Sequence, residues 1–271
     1  MNPKYMALRL IRHFLPSALR HFLLRRNWII QAGSETNKPQ LAIERYQQAL
    51  TQAGQTLCGK RVMVFGYGDN FAVGCGLLRT GADHVVLCDK YARPDDRRNR
   101  QLLPEYGDYL EGSSGHVLPR PEFISVLTAD VRQLADQGGP PPVDMVLSTH
   151  VYEHLDDVDG ITQALAALTR PSGLHLHFID LRDHFFKYPF EMLTFSDRAW
   201  CTWLNPGSNL NRYRLQDYHQ IFRKYFNAVN ITVLERDQSS FELIRHRIHP
   251  EFITGDIESD TATQIQVMAN V

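Results

Sequence analysis

The 271-residue chain is predicted to be an α/β protein: a doubly wound, Rossmann-like, seven-stranded, mostly parallel sheet with helices on both faces. Two observations carry this. Short apolar β-rich runs alternate with helical patterns from residue 61 to residue 180, the signature of βαβ units. A glycine turn or an acid directly follows most of these runs, where ligands of such sheets bind. Right-handed crossovers then leave the doubly wound sheet as the economical topology. With 43% hydrophobic and 22% charged residues the composition excludes a coiled-coil rod, collagen or wholesale disorder. A net charge of -1 excludes a chain that binds polyanions through its overall charge.

Residues 1–58 read as a helical extension and 59–271 as the Rossmann-like domain. The first 34 residues carry Lys4, Arg9, Arg12, Arg20, Arg25 and Arg26, with no acid before Glu35. Leu8, Ile11, Leu15, Leu19, Phe22 and Leu23 recur every three or four positions, giving a helix one apolar face. Such a segment either packs on the following domain or lies, through residues 1–30, on the anionic inner face of a membrane. Arg12, Pro16 and Arg20 interrupt it too often for a secretory signal. The four scattered cysteines (Cys58, Cys75, Cys88, Cys201) read as reduced thiols, so a cytoplasmic protein is expected.

A helix is expected over residues 41–53. Arg61-Val-Met-Val-Phe65 is the first strand, and residues 72–79 a helix stopped by Gly81. His84-Val-Val-Leu-Cys88 and Phe123-Ile-Ser-Val-Leu127 are the second and third strands. The Gly-Gly-Pro-Pro-Pro run ending at Pro142 is a loop. Val143-Asp-Met-Val-Leu-Ser148 is the fourth strand, followed by a helix through Leu168. Leu174-His-Leu-His-Phe-Ile179 is the fifth. Val229-Asn-Ile-Thr-Val-Leu-Glu235 and Gln264-Ile-Gln-Val-Met268 are expected as an antiparallel pair at the sheet edge.

The chemistry should sit just past the strand ends. Gly66, Tyr67, Gly68, Asp69 and Asn70 follow the first strand, where glycines let the backbone approach a ligand closely. Asp89 and Lys90 follow the second; a carboxylate there can accept both hydroxyls of a ribose. Asp130 and Val131 follow the third, and Ser148, Thr149, His150, Glu153 and His154 end or follow the fourth. Alone, each is a common turn or cap residue; in register they point to a nucleoside-containing ligand.

The run Val62-Met-Val-Phe-Gly-Tyr-Gly-Asp69, with Val85-Val-Leu-Cys-Asp89, Val151-Tyr-Glu-His154 and Arg170-Pro-Ser-Gly-Leu174, resembles the class I S-adenosylmethionine-dependent methyltransferases over residues 59–180. The runs at residues 177–184, 193–200 and 211–214 are similar to a bacterial branch of that family whose acceptors are mostly unassigned. The resemblance implies S-adenosylmethionine as cofactor, with Gly66 and Gly68 along the methionine, Asp89 on the ribose, Asp130 on the adenine amine and Val131 against its ring. Val64 stands where the family has an acid that helps hold the methionine amine, and Asn70 replaces its third loop glycine. Asp69 is the candidate for the missing charge.

A methyl donor that brings its own leaving group asks the protein mainly to align the acceptor and exclude water. A hydroxyl acceptor also needs a base, and neutral histidine suits. His154 is the first candidate, with His184 and His150 behind it. Residues 181–218, rich in aromatics, form a long insertion of the kind that often binds substrates. Arg182, Arg212 and Arg214 are its candidates for an anionic group on a small-molecule or sugar-containing acceptor. Neither a metal nor a nucleic acid is expected. The rivals are a non-catalytic nucleoside-binding protein, an NAD-dependent oxidoreductase, and a zinc hydrolase through His150-Val-Tyr-Glu-His154, which fits H-x-x-E-H.

Overall fold

The computed structural model describes residues 3–14, 38–184, 188–205 and 210–271. Seven strands form one sheet in the order β5-β2-β1-β6-β7-β9-β8. These are β1 (Arg61–Phe65), β2 (His84–Asp89), β5 (Ile124–Thr128), β6 (Val143–Thr149), β7 (Thr169–Asp180), β8 (Ala228–Arg236) and β9 (Ala262–Asn270). Neighbours pair in parallel from β5 across to β7, and β9 runs antiparallel between β7 and β8. The expected edge pair is therefore present, joined by a 25-residue connection rather than a tight turn. A hairpin of β3 (Leu110–Ser113) and β4 (His116–Pro119) was not foreseen, because its strands are short and mostly exposed.

Central strands are continuous apolar runs because both faces are covered. One face packs on α2 (Pro39–Gln52) and α3 (Ala72–Arg79) through Tyr46, Leu50, Cys75 and Leu77. Thus α2, expected within an extension, belongs to the domain core. The other face packs on α6 (Val158–Ala167) and α7 (Leu215–Tyr225) through Leu165, Tyr218 and Phe222. Between β2 and α6 lie α4 (Asp96–Arg100) and α5 (Val131–Asp136).

A third apolar cluster caps the carboxyl end of the sheet. It unites α1 (Pro3–Phe14), the insertion after β7 and the connection carrying α8 (Gln238–Ile244), through Tyr5, Phe190, Trp200 and Phe241. Arg9, one of the basic residues of this segment, is 1% exposed and paired with fully buried Asp183, which also accepts from the Tyr5 hydroxyl. The packed reading therefore holds for α1. Arg20, Arg25 and Arg26 lie outside the described residues. No described helix is long and apolar enough to cross a membrane.

Inside the sheet a polar chain runs from β6 to β7. Thr169 donates its hydroxyl hydrogen to Leu165 O (2.8 Å), so its oxygen must accept from His175 Nε2 at 2.9 Å. His175 Nδ1 is then the acceptor from His177 Nε2 at 3.2 Å, and His177 Nδ1 accepts from Ser148 Oγ at 2.7 Å. One donor thus fixes both tautomers. Burial holds His175 down at about 3 and His177 well below the usual histidine range.

Candidate functional site

The loop after β1 turns through Gly66 (φ 76°) and Gly68 (φ 75°). A Cβ on Gly66 would lie 2.4 Å from Val151 Cγ2, so the close approach of two strand-end loops demands glycine. Asn70 Oδ1 accepts from Ala72 N at 2.9 Å, holding the turn that precedes α3. Buried Asn99 of α4 accepts from Phe71 N at 2.8 Å and donates to Asp69 O at 3.2 Å, tying the loop from outside. The Asp69 carboxylate pairs with Arg98 at 2.7 Å.

At the end of β2, Asp89 Oδ1 accepts from Tyr91 N and Ala92 N, both at 2.8 Å, while Oδ2 has only a long 3.4 Å contact from Gly68 N. Asp130 caps α5 and is gripped by Arg132, whose Nη2 lies 2.6 Å from Oδ2, and by Lys90 at 3.2 Å. The Arg132 hydrogen bonds hold Asp130 well below the usual carboxylate range. Arg132 also reaches Asp157, the cap of α6, at 2.9 Å.

After β6 the chain passes through His150 at φ 54° into a helical turn, Tyr152–His154. His154 packs edge-on against His184, ring centroids 4.8 Å apart. Burial first, then the neighbouring His154, lowers His184 to about 4. Glu153 is 2% exposed and neither carboxylate oxygen accepts a hydrogen bond; His150 Nδ1 lies 3.4 Å from Oε1. Asn211 seals the insertion onto this turn, donating to Glu153 O (2.8 Å), Tyr152 O (2.7 Å) and Leu155 O (3.2 Å).

These loops enclose a cavity of about 940 Å³. Phe65, Gly66, Asp89, Lys90, Asp130, Val131 and His154 line its sheet side, and Trp200, Asn205, Asn211, Arg212 and Tyr213 its insertion side. Residues named from the strand ends and from the insertion therefore both reach this cavity. The sequence missed Tyr91, Leu155, Asp156 and Ile161, which carry no motif, and Glu251 with Phe252, brought in from the β8–β9 connection.

Several expected residues lie elsewhere. Tyr67 is turned under its loop, stacked on Phe71, with a buried hydroxyl that lacks a partner. Burial and the nearby Asp89 push that hydroxyl up to about 12. Asp69 is drawn off the cavity by Arg98. Ser148 points into the core at His177, and Thr149 donates to Tyr46 Oη at 2.7 Å. Arg182 chelates Asp180. Arg214 is buried and serves Leu181 O (2.8 Å) and Ala262 O (2.6 Å), with burial lowering it to about 10. Arg212 does line the cavity, but its guanidinium is engaged by Met192 O, Phe195 O and Asp197. These arginines fasten the insertion instead of awaiting an anion. Asp130, though lining the cavity, has both oxygens engaged by Arg132 and Lys90.

The sheet order and its single antiparallel strand define the class: this is the α/β fold of the class I S-adenosylmethionine-dependent methyltransferases. Magnesium protoporphyrin IX methyltransferase from Synechocystis PCC 6803, solved with bound S-adenosylhomocysteine, aligns over 96% of this chain and 97% of its own, at 14% identity and TM-score 0.50. Phosphoethanolamine N-methyltransferase 2 of Haemonchus contortus, in complex with S-adenosyl-L-methionine, aligns over 83% of this chain and 52% of its own, at 13% identity and TM-score 0.51. No protein-family model and no curated protein matches the sequence.

Proposed function

We propose that the protein transfers a methyl group from S-adenosylmethionine to a small-molecule or sugar-containing acceptor. The observation that carries this reading is one continuous cavity, with Gly66, Asp89 and Val131 at its sheet end and the insertion at its other end. The residues fit the cofactor: the glycine loop brings backbone to the cavity wall, and Asp89 Oδ2 keeps capacity to accept from a ribose hydroxyl. When bound, the cofactor supplies an electrophilic methyl on a positively charged sulfur.

The chain's own part is to bind, orient and exclude water. Asp89 holds the ribose, while Val131 and Ile161 give an apolar seat to the base. Trp200, Tyr213 and Asn211 close the acceptor end, and Asn211 locks that wall to the turn bearing His154. His154 faces the cavity and is placed to take a proton from a hydroxyl acceptor, with His184 packed against it. With Arg212 already engaged, a neutral hydroxylated acceptor suits this wall better than a carboxylate or phosphate.

Calorimetry with S-adenosylmethionine, S-adenosylhomocysteine and NAD tests the cofactor. We expect binding of the first two, and Asp89→Ala to weaken it by about tenfold or more, as for a lost charge-assisted hydrogen bond. Selective binding of NAD would replace this reading with the oxidoreductase. Binding of the sulfur nucleosides with no label transferred from radiolabelled donor to any metabolite fraction would favour the non-catalytic binder.

A further inference from the structure

We propose that Glu153, His154 and His184 bind one divalent transition-metal ion of the zinc type at the acceptor end of the cavity. One potential ligand atom from each residue lies within 4.8 Å of the others. Ligand atoms at tetrahedral positions about 2.1 Å from one zinc ion are about 3.4 Å apart. The widest pair therefore has to draw in by about 1.4 Å at most, a distance that side-chain rotation can supply.

Glu153 is the second, independent observation. Its carboxylate is 2% exposed, neither oxygen accepts a hydrogen bond, and His150 Nδ1 stands off at 3.4 Å from Oε1. A carboxylate withdrawn from water without donors is strongly disfavoured unless a cation compensates it. A metal ion provides that compensation at the point where the two imidazoles converge.

The donor set selects the ion. Imidazole with a carboxylate suits zinc and its transition-metal neighbours, whereas magnesium and calcium call for all-oxygen sets. The arrangement also differs from the H-x-x-E-H hydrolase pattern, which would use His150 and His154 with Glu153 as base. His150 sits at φ 54° on the strand end, and His184, thirty residues downstream of His154, takes its place in the cluster. Three protein ligands leave a position open, as at catalytic zinc sites. Of the three ligands His154 lines the cavity, and an acceptor oxygen reaching the open position from there would be oriented by the ion. In the metal-bound form His154 is a ligand instead of the base, and the proton of a metal-bound acceptor hydroxyl would pass to water. This role in the reaction rests on the methyl-transfer reading; metal binding itself does not.

The test uses the full chain, purified without added metal and stripped with a chelator. Titration with Zn²⁺ and with Co²⁺, read by calorimetry, metal analysis and the visible cobalt spectrum, is expected to show one equivalent bound. Glu153→Gln and His184→Ala, checked for native circular dichroism, should each weaken binding by about tenfold or more. Absence of stoichiometric binding by the unmodified chain overturns the proposal. Binding that persists undiminished in both variants overturns it too, by placing the ion elsewhere. S-adenosylhomocysteine binding to the metal-free protein, measured alongside, reports on the cofactor reading separately.

Discussion

Gly66 combines two constraints that usually occur apart. Its φ of 76° disfavours any side chain, and Val151 occupies the space where a Cβ would go. Gly66→Ala should therefore destabilise the chain by roughly 1–3 kcal/mol and weaken S-adenosylhomocysteine binding. Adding Val151→Ala should recover the steric part and leave the backbone strain; urea unfolding separates the two. At the same scale, the His175–His177 chain makes the core acid-labile. Both histidines are fully buried and neutral when folded, and each titrates near 6.5 when unfolded. Their folded values are depressed, so their contribution is complete above about pH 6.5 and is lost as pH falls toward about 3. Each can add up to about 1.4 kcal/mol per pH unit to that slope. His175→Asn should flatten it, as read by urea midpoints between pH 7 and pH 4.

Among the elements, α1 has the most specific attachment. Its Arg9 and Tyr5 both end on Asp183, near the start of the insertion. Arg9 also stacks over the Trp200 ring, 4.6 Å from its centroid. Arg9→Ala strands a buried carboxylate, a change that destabilises by about 3–5 kcal/mol. Because the cap has its own apolar cluster, the loss should appear locally. Hydrogen exchange should accelerate in residues 188–205 and 241–253 while β1, β2 and β6 keep their protection. Adding Asp183→Asn should restore part of it.

For the whole molecule, the cavity joins parts of the chain that are otherwise separate: strand ends, insertion and the β8–β9 connection. A ligand held there stabilises all of them together. S-adenosylhomocysteine at 100 times its dissociation constant should add about 2.7 kcal/mol to global stability. Exchange protection should rise in the loop at 66–70, in residues 210–213 and near Phe252 in the same titration. A rise confined to the first loop would mean that the cap does not take part in binding.

The succession of parallel strands and the places of Gly66, Asp89, Asp130, Val131 and His154 along the cavity were legible in the sequence, because parallel strands are continuous apolar runs and sheet topology puts loop residues directly after them at one edge. Tyr67, Ser148 and Thr149 obey the same rule of position yet face the core or a helix, since alternation along the chain decides which neighbour turns outward. Arg182, Arg212 and Arg214 could be counted as charges but not assigned. Whether an arginine meets a ligand or a carbonyl depends on segments brought together only by folding, such as β7 with β9 around Arg214. The same holds for Glu153, His154 and His184: the H-x-x-E-H spacing joins His154 to His150 instead, and the fold alone brings His184 to this turn. Local pattern settled the sheet and one end of the cavity, because burial repeats with the period of each element; the other end was decided by contacts between distant segments, for which a single sequence has no period.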